Sequence, residues 1–325
     1  MRFKMKQRFG LALVISVAMF ALTSCGTSNE LSNGAAESPD TPIVVVKIDD
    51  TEAAHPQIGI DKADLVYIEQ VEGGLVRLAA VFSSEIPEQI GPVRSARISD
   101  IDLLSQFGKV AFFYSGAQRK LYPVIQSANL FDIGAEHESP KLYSRDPERS
   151  APFDMVLSGS EIKNRIADLD VAKSSKITWK FGELSKENRK GKSVQEVKVR
   201  WPASNYQAKW NGTSWDLFQD GKADVTSDGV QLSPTTFIIQ NVVITNSEYK
   251  DKLGGITPLS VTIGEGTGWV LRDGTAIKAL WNRPDAASLT TWSDLDGNLI
   301  PFAPGQVWIA LTDQTPEFTA PPVKK

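Results

Sequence analysis

Ile43-Val44-Val45-Val46-Lys47-Ile48-Asp49-Asp50 is the stretch from which the fold reads outward. Its β-branched side chains are stiff and pack well on a pleated surface, so the run predicts a buried strand that ends in two carboxylates. Leu65 to Val71 and Leu75 to Phe82 predict two more strands, with Glu72-Gly73-Gly74 as the turn between them. Ser99-Asp100-Ile101-Asp102 opens a helix, with the Ser99 hydroxyl at the N-cap and an acid three residues on; the helix stops at Gly108. Val110 to Tyr114 is a strand, and Ser115-Gly116 turns into a helix over Ala117 to Ser127 that Pro123 kinks or shortens. Gly134 to Phe153 has no clear period and reads as a surface loop, and Ser160 to Leu169 is helical. Residues 43–172 therefore predict a mixed domain, α+β or α/β.

The pattern changes beyond Asp170. Lys173 to Lys176 is a polar linker, and from Ile177 the helical period disappears. Asn211-Gly212, Asp220-Gly221, Asp228-Gly229, Asp273-Gly274 and Asp296-Gly297 each sit between short β-rich runs. Such dipeptides supply the positive φ angles of hairpin turns, so residues 177–318 predict a mainly antiparallel β domain, with 319–325 as a tail. The spacing is too loose for a repeat architecture.

Upstream, Arg2, Lys4, Lys6 and Arg8 precede an uncharged, mostly apolar run from Gly10 to Leu22, and Leu22-Thr23-Ser24-Cys25 reads as a lipobox. The apolar run is too short to span a membrane comfortably, so residues 1–24 read as a cleaved lipoprotein signal and Cys25 as the lipidation site. The competing reading is an ordinary secretory signal with a chance cysteine. Residues 25–42 form a lipidated flexible tether rich in Ser, Gly, Asn and Pro. Two acyl chains suffice for stable anchoring, so the expected location is the extracytoplasmic face of the cell membrane.

Removing the leader leaves 31 basic residues against 39 acidic ones, a net charge of −8. A body this acidic does not suit nucleic acid as a partner. Cys25 is the one cysteine, so with its sulfur acylated there is no disulfide, thiolate metal site or cysteine nucleophile. With only His55 and His137, a three-imidazole metal site is excluded within one chain.

Several strings resemble the YerB-like lipoproteins. They are Val46-Lys47-Ile48-Asp49-Asp50, Ala53-Ala54-His55-Pro56-Gln57-Ile58-Gly59, Ala63-Asp64-Leu65-Val66-Tyr67-Ile68-Glu69, Val71-Glu72-Gly73-Gly74 and Arg77. Ile90-Gly91-Pro92-Val93-Arg94-Ser95-Ala96-Arg97 is the most distinctive, and Arg145-Asp146 with Arg149, Ala151 and Pro152 also fits. Asn241-Val242-Val243 and Pro304-Gly305-Gln306-Val307-Trp308 look like the family's C-terminal domain. The resemblance implies a membrane-tethered, extracytoplasmic protein with two domains of unknown function.

Three constellations are candidates for chemistry. Arg94 and Arg97 lie at a helix start, where two guanidiniums repel unless an anion neutralises them; with Arg77 they predict a carboxylate or phosphate site. The alternative is internal pairing with Glu69, Glu72, Asp100 or Asp102. Asp49, Asp50, Glu69 and Glu72 are the candidate catalytic carboxylates of an envelope hydrolase, and Asp49 and Asp50 the candidate ligands of a divalent cation. Against this, Asp-Asp at a strand end is a common turn or cap. Ser115, Gly116 and Arg119 form a third, anion-binding candidate, without the glycine spacing of a nucleotide-binding loop.

His55 and His137 read as structural or solvent-facing, and no Gly-x-Ser-x-Gly elbow is present. All eight tryptophans follow residue 178, as core residues of a thin β structure or as stacking platforms for sugars. No cofactor signature is found. The expectation is a membrane-anchored binding or scaffold protein for an anionic ligand, envelope polymer or protein partner, with the hydrolase as the alternative.

Overall fold

A computed structural model describes residues 40–186 and 188–322. The signal, the lipidation site Cys25 and nearly all of the tether lie outside the described residues.

The stretch Ile43–Asp50 is the heart of the molecule. All six residues of the strand Val44–Asp49 are buried. It pairs antiparallel with Val76–Phe82 on one side and parallel with Val110–Tyr114 on the other. Val44, Val46 and Ile48 enter one hydrophobic core, while Ile43 and Val45 enter a second core on the opposite face. This is the period of two that a pleated strand imposes.

The sheet does not stop at the end of the mixed region. Beyond Val76–Phe82 come Leu65–Gln70, Val307–Thr312, Thr236–Asn241, Gly264–Arg272, Thr275–Arg283 and Thr291–Ser293; on the far side of Val110–Tyr114 lies Leu130–Gly134. With Lys192–Ser193 paired to Thr275–Arg283, this makes one sheet of eleven strands. Val307–Thr312 joins the halves. It runs parallel to Leu65–Gln70 and to Thr236–Asn241, and all six of its residues are buried.

A second, five-stranded sheet, ordered Lys222–Ala223, Trp215–Gln219, Ser204–Trp210, Glu196–Trp201 and Glu317–Thr319, packs on the first core. Trp201 Nε1 donates to the Leu311 carbonyl at 2.8 Å, and the Tyr206 and Trp308 rings lie 6.1 Å apart. On the opposite face sit the helices Ile98–Ser105 and Tyr122–Ser127 and the ribbon Val243–Lys250/Ile256–Val261.

The turn chemistry is as expected. Asp220-Gly221 and Asp273-Gly274 take φ angles of 47° and 84° and of 51° and 66°, closing two-residue hairpins. Every tryptophan is buried or half-buried. Other expectations need correction. The chain is mostly β, and its three described α-helices are short and confined to residues 98–166. The C-terminal ladders are mainly antiparallel, and the exception is Val307–Thr312, which is parallel to both neighbours. The helix expected over 117–127 shrinks to Tyr122–Ser127, because Pro123, lacking an N–H, sits in its first turn. The cap expected at Ser99 falls at Arg97, whose N–H donates to Asp100 Oδ2 at 2.6 Å. The Ser99 hydroxyl instead accepts from Ser260 N–H at 3.0 Å. The expected loop 134–153 contains the strand Tyr143–Arg145, paired with Met155–Ser158. Thr319 belongs to the last strand rather than to the tail.

A sheet that runs through both halves should melt as one unit. Urea unfolding followed by tryptophan fluorescence, which reports the C-terminal half alone, and by far-ultraviolet circular dichroism should give coincident transitions. Trp308→Ala should cost about 3–5 kcal/mol and shift both probes together. Separate transitions would contradict a single cooperative sheet.

Candidate functional site

The register of the central strands puts charge in one row. Asp49, Arg77 and Glu69 are direct cross-strand neighbours, so their side chains leave the same face. Lys47, two residues before Asp49, shares that face. Lys47 is fully buried; its Nζ donates to Asp100 Oδ1 at 2.7 Å and is ion-paired with Glu69. Burial pushes the Glu69 carboxyl up, and the neighbouring Asp100 adds to this while Lys47 opposes it. Arg97 binds Glu72 through Nε at 2.9 Å and Nη2 at 2.8 Å, and the Thr257 hydroxyl donates to the same carboxylate. Arg94 Nε is paired with Asp49, whose Oδ1 also accepts from the Thr51 N–H and hydroxyl at 2.8 and 2.7 Å. The Arg94 guanidinium lies 5.5 Å from the Phe153 ring centroid.

Arg77 differs from these. Only 8% exposed, it makes one hydrogen bond among the described residues, from Nη1 to the Ser95 carbonyl at 3.1 Å, and has no carboxylate within ion-pair distance. Arg97 Nη1 leans on the same carbonyl at 3.4 Å. Burial, then Arg97 and Arg94, hold the Arg77 guanidinium down to about 9, with Asp49 opposing. Arg283 shows the contrast. It too lacks a carboxylate partner, but its donors reach Ser288, Thr262, Asp102, Ser105 and Ala286.

Asp49 is the last residue of the strand and Asp50 follows it, and their side chains go opposite ways, Asp49 to Arg94 and Asp50 to Tyr206. They do not converge as a carboxylate pair or a cation site. Asp50 is instead buried against the five-stranded sheet, where Tyr206 OH donates to both its oxygens at 2.9 Å. Gln219 Nε2 donates at 2.8 Å and Gln57 Nε2 at 3.0 Å. His55 Nε2 lies 3.3 Å from Asp50, and His55 Nδ1 lies 3.4 Å from Asp224. Burial pushes the Asp50 carboxyl up, with His55 opposing. Burial alone would lower the His55 imidazolium, but the flanking Asp224 and Asp50 carboxylates outweigh it and raise it to about 10. Arg149 holds the loop by donating to the Ala54 and Pro56 carbonyls.

Ser115 and Gly116 use their backbone to bind the arginine string: Ser115 N–H donates to Arg94 O and Gly116 O accepts from Ala96 N–H, both at 2.9 Å. Arg119 is exposed. His137 stands edge-on to Tyr122. His55, Asp224, Tyr206 and Gln219 carried no signal as a set, because their association depends on the packing of two sheets. Among the described residues no group of three or more His, Cys, Asp or Glu is placed to hold a metal ion, and no helix is long and apolar enough to cross a membrane.

Fold and site define a mostly β protein whose central strand carries buried ion pairs on one face and a carboxylate–imidazole–carboxylate cluster on the other. The chain belongs to the YerB-like family. Residues 28–172 match the DUF3048 N-terminal domain and residues 197–309 its C-terminal domain, both described as of unknown function. A relative in Bacillus subtilis (strain 168), named "Putative lipoprotein YerB", is 25% identical over 292 residues, covering 87% of this chain and 84% of the relative. The crystal structure of the Bacillus subtilis YerB protein superposes with a TM-score of 0.73 at 20% identity, covering 87% of this chain and 96% of that one.

The cluster predicts a pH signature. Folded His55 keeps its proton to about pH 10, whereas unfolded it releases it near 6.5. The folded state therefore binds more protons across that window, and this contribution to stability falls as pH rises from 6.5 to 10. His55→Gln should be less stable at pH 7 and should lose part of the decline in melting temperature between about pH 7 and 9.5. Parallel profiles for the two proteins would contradict a shared imidazolium.

Proposed function

We propose that the protein is a lipid-anchored binding protein on the extracytoplasmic face of the membrane, holding an anionic group against Arg77, Arg94 and Arg97. The observation that carries this reading is Arg77, a nearly buried guanidinium with no carboxylate partner and two cationic neighbours. Its Nε and Nη2, and Nη1 and Nη2 of Arg94, make no hydrogen bond among the described residues. A carboxylate or phosphate oxygen matches such planar donors and relieves the repulsion among the three arginines. Arg97 is already paired with Glu72, so its part is to position the string. Binding is favoured over hydrolysis because Asp49, Glu69 and Glu72 are each tied to a base and Asp50 to Tyr206, Gln219, Gln57 and His55. The anchor rests on Cys25 behind its apolar leader and on the name of the Bacillus subtilis relative.

Thermal melts of the full-length chain with phosphate and with acetate test the site. An anion that binds only the folded state stabilises it by about 2.7 kcal/mol at 100 times its Kd. Wild type should gain melting temperature and Arg77→Gln should not, while Arg97→Gln should be destabilised without any ligand. Equal gains in wild type and Arg77→Gln would overturn the reading. For the anchor, Cys25→Ser should move the protein from the membrane fraction to the soluble fraction; unchanged membrane retention would refute lipidation at Cys25.

A further inference from the structure

On the other face of the central strand, a cavity of about 390 Å³ opens beside the imidazole cluster. Its walls include Glu52, His55, Gln219, Asp220, Lys222 and Asp224. Three of these are engaged with protein groups: Lys222 is ion-paired with Glu52, and the Gln219 amide donates to the Asp50 carbonyl and carboxylate at 2.7 and 2.8 Å.

Asp224 is not satisfied. It is 1% exposed, yet neither carboxylate oxygen accepts a hydrogen bond among the described residues. Its nearest cation is His55 Nδ1 at 3.4 Å, outside hydrogen-bond geometry, and the same imidazole also faces Asp50. One imidazolium thus stands between two buried carboxylates. Asp50 has the Tyr206, Gln219 and Gln57 donors as well, whereas Asp224 has none. A buried carboxylate without donors is costly, so the missing partner is cationic and rich in N–H. A metal ion is the poorer match, because His55, Asp50 and Asp224 are not placed as a metal-holding group and the imidazole is already taken up between the two acids. A primary ammonium group brings one charge and three donors on a compact head. Glu52, Asp220 and Asp224 outnumber Lys222 and His55 on this wall, so this site and the arginine row select opposite charges.

We propose that this cavity binds the primary ammonium group of an amine-bearing ligand, with Asp224 as its counter-ion. The test is calorimetric titration of the full-length chain at pH 7 with ethylammonium, glucosamine and diglycine, whose arms separate simple amine, amino sugar and peptide. Tetramethylammonium, which lacks N–H donors, is the control. At least one primary amine should bind saturably while tetramethylammonium does not. Asp224→Asn should weaken that binding at least tenfold while remaining folded. If Asp224→Asn does not fold, Asp224 is a structural strut and the proposal falls. Glu52→Gln, on the exposed wall, gives an independent reading through a weaker, severalfold loss of affinity. No saturable binding by any primary amine, equal binding of tetramethylammonium, or undiminished binding to both variants would also overturn it.

Discussion

The insertion of Val307–Thr312 between Leu65–Gln70 and Thr236–Asn241 is the pairing on which the rest of the molecule depends. A strand from the end of the chain completes a ladder begun near its start. Its backbone groups are buried and must be paired, so they fix the neighbouring strands in register. Leu65–Gln70 in turn aligns Glu69 with Arg77, and Arg77 with Asp49. A slip of one residue would send this charged row into the hydrophobic core on the other face.

Two sites follow from one strand. Asp49 faces the arginines and Asp50 faces His55, Tyr206 and Gln219. The first face carries a cation without an acid, Arg77; the second carries an acid without a donor, Asp224. Around each of them the remaining charges are closed into pairs. Such pairs are weak evidence for stability but strong constraints on geometry, because leaving one member alone in the interior is expensive.

Much of this was legible in the sequence, and the limits have physical causes. The run 43–50 announced a buried strand, and the Asp-Gly dipeptides announced hairpins, because both are governed by local backbone and side-chain preference. The arginine string was legible as a charge problem, but its solution was not. Whether Arg97 takes Glu72 and Arg94 takes Asp49 depends on register and on a turn. The parallel placement of Val307–Thr312 leaves no local trace, so the sheet's continuity was invisible. His55 looked inert because Asp224 and Tyr206, far along the chain, complete its surroundings only after the sheets pack. The helix expected after Ser115 was overestimated because Pro123 can sit only in a first turn and Ser115-Gly116 pair with the arginine string instead.

The central claim is that Arg77 is a cation left open for an external anion. Crystals of the protein soaked in selenate would test it through the anomalous signal of selenium. The account predicts a peak within hydrogen-bond distance of Arg77 Nε or Nη2 and of the free Arg94 nitrogens. Selenate bound elsewhere on the surface, with Arg77 donating to protein groups through all of its nitrogens, would contradict it.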